Sequence, residues 1–97
     1  MSITKLLVRW VQNAHIWNLH DYLTITNYKL QNSVIPFVQD SLAKEGKQRP
    51  IASTIERKWR MVVERQMAKG FLITPATNEE GYRIWIVKRR KQEPTNS

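Results

Sequence analysis

The chain has 97 residues, 41% of them hydrophobic, which is enough apolar content for a folded core and length for only one. It contains no cysteine, so it offers neither a disulfide framework nor a thiolate metal site, and no apolar run approaches the ~20 residues that span a bilayer. Sixteen Lys and Arg against eight Asp and Glu give a formal charge of +8, unevenly spread: three basic against two acidic residues in 1–43, thirteen against six in the remainder. Such a field attracts polyanions.

In chain order, Ile3, Leu6, Leu7, Trp10 and Val11 stand at helical spacing behind Ser2, a suitable N-cap, and predict an amphipathic helix over 3–13. Lys5 and Arg9 interrupt its apolar residues, so it does not read as the hydrophobic part of a leader; the expected location is intracellular, cytoplasmic or nucleoid-associated. Between Ala14 and Gln31 two patterns compete. Leu19, Tyr22 and Leu23 fit a helical turn, while Thr24-Ile25-Thr26 is β-branched and alternating, so a short helix followed by an extended connection is expected. Asn32-Ser33 then caps a helix running from Val34 to about Glu45, with Pro36 in its first turn, Val34, Phe37, Val38 and Leu42 inward, and Gly46 as its stop.

Ser53-Thr54-Ile55-Glu56 has the S-x-x-E form of a capping box and opens a helix over 53–69. Ile55, Trp59, Val62, Val63 and Met67 form its inward stripe, Lys69 lies in the last turn and Gly70 is the left-handed cap. Phe71-Leu72-Ile73-Thr74 reads as a strand, 75–81 as a polar loop, and 82–88 as a second strand with Tyr82, Ile84 and Ile86 on one face. The residues after Lys91 are without apolar content and predict a frayed tail over 92–97, leaving one domain over 1–91.

Helix, helix, turn, capped helix and a β-hairpin with a basic end is an order that resembles the winged helix-turn-helix family, best over Ser33 to Lys91. The resemblance implies an α+β, mainly α, fold of three to four helices followed by a C-terminal β-hairpin wing. It also implies a duplex DNA-binding protein, a small transcriptional regulator of the size found in viruses and plasmids. Helix 53–69 would then lie in the major groove and the basic hairpin on the backbone. The connection from Gly46 to Ala52 is longer than a minimal helix-turn-helix turn, and the family's small strand between its first two helices is suggested only by Thr24-Ile25-Thr26.

The DNA-binding candidates follow from that frame. Lys47 and Arg49 precede the helix, near its positive N-terminus. Ser53, Thr54, Arg57, Lys58, Arg60, Met61 and Arg65 fall opposite the inward stripe, where Arg57 and Lys58 are first choices for base or phosphate contact. The bland alternative is a solvated face on which Arg57 and Arg60 pair with Glu56 and Glu64. The hairpin adds Arg83 and the run Lys88, Arg89, Arg90 and Lys91, which otherwise serves as a solubilising tail or edge-strand guard. Trp85 is expected to pack, ahead of stacking on a sugar or base, and Trp10 and Trp17 to close the core, ahead of forming a dimer face.

His15 and His20 are five apart, off the spacing of a helical metal site, and each of the three glycines falls at an element end. No catalytic residue, metal or cofactor is assigned, and the chain is read as no enzyme. Its expected partner is double-stranded DNA, with a homodimer or a protein partner also compatible and no membrane. The competing functions are a winged-helix protein-interaction module and a replication or recombination accessory that binds DNA without sequence choice.

Overall fold

The first apolar stripe forms helix α1, Ile3–Gln12, within a residue of its expected bounds. The Ser2 hydroxyl accepts from the Lys5 N–H at 3.2 Å, while Leu6, Leu7 and Val11 are buried and Trp10 packs half-buried against the core. A computed structural model describes residues 1–13 and 22–90. Most of the short helix expected after Ala14, with Trp17, His15 and His20, lies outside the described residues, as do Lys91 and the tail over 92–97.

Strand β1, Tyr22–Thr26, buries Leu23 and Ile25. Tyr22 and Leu23 therefore belong to a strand and not to the helical turn their spacing suggests; the alternation of Thr24-Ile25-Thr26 is the better signal. Thr26 ends the strand and caps the next helix, its hydroxyl accepting from the Lys29 N–H at 3.0 Å.

Helix α2 runs from there without a break, through Asn27–Lys29, a wide π turn over Leu30–Val34, and Ile35–Lys44. The helix thus starts well before the expected Asn32-Ser33 cap, and the Asn32 amide instead donates to the Tyr28 carbonyl at 2.9 Å. Pro36 has no N–H and crowds the carbonyl four residues back, which is why it reads locally as a helix start. The π turn just before it, closed by the Ile35 N–H on the Leu30 carbonyl, carries the helix past the proline. Leu30, Val34, Ile35, Val38 and Leu42 are buried, with Phe37 only partly so.

Gly46 stops α2 as expected, at φ +77°, with its N–H on the Ala43 carbonyl at 3.0 Å and the Lys47 N–H on the Leu42 carbonyl at 3.0 Å. A Cβ there would meet nothing within 4 Å, so only the left-handed backbone resists substitution. Gly46→Ala is expected to lower stability by about 1 kcal/mol, seen as a lower denaturant midpoint at unchanged slope; an unchanged midpoint would show the turn adapting freely.

Helix α3 spans Ala52–Glu64, beginning one residue before the predicted 53–69 and ending five residues short of it. Ile51 is extended and its carbonyl receives the first turn, so Ser53 lies inside the helix and caps nothing. Glu56 does not complete a capping box, because its carboxylate accepts from Gln31 of α2. At the other end Arg65 is the cap and Gln66, at φ +49°, takes the left-handed position expected of Gly70. The Met67 N–H closes on the Val62 carbonyl at 3.1 Å. Met67, expected inward, is therefore past the helix and 38% exposed, and Ala68 is buried instead.

Strands β2, Phe71–Thr77, and β3, Arg83–Arg89, form an antiparallel hairpin. Pro75, expected in the loop, lies within β2, as an edge strand tolerates. β3 also pairs antiparallel with β1, so the order is β1-β3-β2 and the hairpin belongs to a three-stranded sheet. Leu23, Ile25, Ile73, Trp85 and Val87 are buried on its inner face. Ile84 and Ile86 are partly exposed on the other, and Tyr82 lies outside the strand. The result is an α+β fold of three helices and one antiparallel sheet, roughly half helical, with α1 packed on α2 and α3. No helix among the described residues is long and apolar enough to cross a membrane.

Candidate nucleic-acid interface

The orientation of α3 follows from its sequence. Ile55, Trp59, Val62 and Val63 are buried, and the 100° step then turns Ser53, Arg57 and Arg60 outward, with Thr54, Lys58 and Met61 half-buried on the flank. Arg65, the cap residue, is exposed. Among the described residues, Arg57, Lys58, Arg60 and Arg65 form no ion pair, so the pairing of Arg57 and Arg60 with Glu56 and Glu64 is not formed.

Lys47 and Arg49 differ from them. Arg49 pairs with Asp40 at 2.9 Å and Lys47 with Glu45 at 3.5 Å, both in the turn at the end of α2. Glu45 also accepts from the Met1 ammonium at 2.8 and 3.0 Å, a contact that holds its carboxyl below the usual range, with Lys47 adding to the effect. These exposed pairs hold weakly, but they engage the cations of the turn, whereas those of α3 form no ion pair.

The hairpin separates its cations. Arg83 stands near the tip and, with Arg60, lines a groove of about 520 Å³ between α3 and the sheet, where Trp59, Val63 and Trp85 also contribute. Glu56 and Glu64 line the same groove. Lys88 and Arg89 sit at the opposite end of β3, beside Leu72 and Phe71, roughly 20 Å away at strand rise, and the Arg90 N–H bonds the Gly70 carbonyl at 2.8 Å. The basic run is therefore at the base of the hairpin. Its tip carries Glu79 and Glu80 in a turn held by the Asn78 side chain, which accepts from the Glu80 and Tyr82 N–H groups at 3.0 and 2.9 Å.

Trp85 packs, as expected, and its ring partner is Trp59 of α3, edge to face at 5.9 Å. Two features escaped the sequence reading. Gln66 bonds across to Ile73, and Tyr28 and Tyr82, 77% and 66% exposed, stand near one another's elements beside the hairpin tip. Exposed aromatics in polar segments were the available signal for the tyrosines; nothing local marks Gln66.

Compared with known protein families, curated proteins and solved structures, the chain matches none.

Proposed function

We propose that the chain is a winged helix-turn-helix protein that binds double-stranded DNA, with α3 in the major groove. The observation that carries the reading is the basic outer face of α3, where Arg57 and Arg60 stand exposed and form no ion pair, backed by a fully apolar inner face that fixes its orientation. Arginine can fork onto guanine O6 and N7 or onto phosphate, and the helix N-terminal turns suit a groove. The element order supports the family reading, because β1 lies between α1 and α2, where that family carries its small strand, and joins the hairpin. The hairpin would meet the backbone through Arg83 and through its base, not through its acidic tip.

Anisotropy titrations with a random 30-bp duplex at several salt concentrations test this. Wild type is expected to bind with a steep negative salt slope, and Arg57→Ala with Arg60→Ala to flatten it by about 2 while weakening binding ~10-fold or more. No binding at low salt would remove the reading and favour the protein-interaction module. A transcriptional regulator should prefer its own target by ~10³ or more over random DNA, whereas a ratio near one identifies a sequence-indifferent accessory.

A further inference from the structure

Beside the hairpin tip lies a second groove, of about 370 Å³, between the start of α2 and the β2–β3 turn. That size falls in the ~300–1,000 Å³ range of small-ligand clefts. Its lining includes Tyr28 and Tyr82, two of the three most exposed large hydrophobic side chains among the described residues. Around them stand the carboxamides of Asn27, Gln31, Asn32 and Asn78. Three of these commit one end internally and keep the other: Gln31 donates to Glu56, Asn32 donates to the Tyr28 carbonyl, and Asn78 accepts from the turn. What remains is the Oε1 of Gln31, the Oδ1 of Asn32 and the Nδ2 of Asn78, a mixed set of acceptors and donors such as the edge of a nucleobase requires.

Arg83 and Asn27 line this groove and the one beside α3 alike, so the two adjoin. We propose that the tyrosine groove holds an unpaired nucleobase, from a DNA end or a single-stranded junction, stacked on Tyr28 or Tyr82 with Arg83 at the neighbouring phosphate. The proposal rests on the DNA-binding reading and adds a substrate preference to it. Charge separates a base from a phosphate here: Glu79 and Glu80 in the same turn repel the backbone, while a base offers an uncharged face to an aromatic ring. Stacking of this kind tolerates any base, so the main preference is for unpaired structure, with any choice among bases left to the carboxamide edge contacts.

The test compares a blunt 20-bp duplex with the same duplex carrying a three-nucleotide 3′ or 5′ tail, 2-aminopurine being placed in the tail. Wild-type protein is expected to bind one of the tailed forms about 5- to 100-fold more tightly than the blunt one, with the 2-aminopurine emission quenched by stacking. Tyr28→Ala with Tyr82→Ala should erase that gain and leave blunt-duplex affinity unchanged, while Tyr28→Phe with Tyr82→Phe should retain it. Both positions are exposed, so the variants should fold. Equal affinity for blunt and tailed DNA with unchanged emission would overturn the base site and leave duplex binding intact. Failure to bind any of these DNAs would overturn both.

Discussion

Trp59→Ala is expected to remove about 3–5 kcal/mol of stability, enough to unfold much of the protein at 37 °C. Trp59 is fully buried at the centre of the outward-facing helix's inner stripe and meets Trp85 of the central strand edge to face, at 5.9 Å and 84°. A Trp side chain buries ~150–250 Å², and truncation would forfeit that area while opening a void between α3 and the sheet. For a domain of about this size, each kcal/mol moves Tm by ~4–8 °C, so a fall of roughly 12–40 °C should appear in a circular-dichroism melt. Trp59→Phe should cost less. The indole Nε1–H is buried without a hydrogen-bond partner, so the phenyl ring loses area but also removes an unsatisfied donor. A Trp59→Ala protein melting within a few degrees of wild type would show that α3 does not depend on this contact for its place.

Gln66→Ala is expected to cost about 2–4 kcal/mol, a large figure for a half-buried polar residue. The Gln66 amide donates to the Val63 carbonyl at 2.8 Å and to the Ile73 carbonyl at 2.5 Å, and its oxygen accepts from the Ile73 N–H at 2.8 Å. One side chain thereby serves both polar groups of a buried residue on the free edge of β2 and ties that edge to the end of α3. Removing it leaves a donor and an acceptor unpaired at Ile73, each costing ~1–3 kcal/mol, while the left-handed backbone at φ +49° is disfavoured for alanine as it already is for glutamine. Gln66→Gly separates the two effects, because glycine relieves the backbone at φ +49° but restores no hydrogen bond. Its loss in a urea titration should be smaller than that of the alanine variant by about 1 kcal/mol. Equal losses would mean the backbone conformation carries no cost; no loss in either would mean water replaces the carboxamide.

What the sequence made legible was local. The stripe of α1, the inner face of α3, the stop at Gly46 and the outward turn of Arg57 and Arg60 each follow from spacing or from one residue's backbone freedom, and the structure places them accordingly. Where a partner distant in the chain decides the outcome, local signals misled. Ser53 and Glu56 have the spacing of a capping box, yet the glutamate is engaged by Gln31. Pro36 looks like a helix start, yet helix precedes it because a π turn widens the path. Lys88 and Arg89 were legible as a basic run at the end of the last strand, but the residues they stand beside, Leu72 and Phe71, are given only by the register with β2, and Pro75 was read as loop although an edge strand admits it. Glu79 and Glu80 fall in the loop expected over 75–81, and the structure narrows that loop to the turn they occupy.

The position of β3 in the sheet has a consequence for how the chain comes together. β3 is the last element of the described chain and the middle strand of the sheet, with Tyr22 opposite Lys88 on one side and Phe71 opposite Arg89 on the other. Helices can form from contacts near in sequence, but β1 has no neighbouring strand until β3, about sixty residues later, has been made. During synthesis the early strand must wait, and the two outer strands become a sheet in one step when the middle one arrives. A break in the chain ahead of β3 would therefore cost both ladders together, leaving each outer strand with two open edges instead of one.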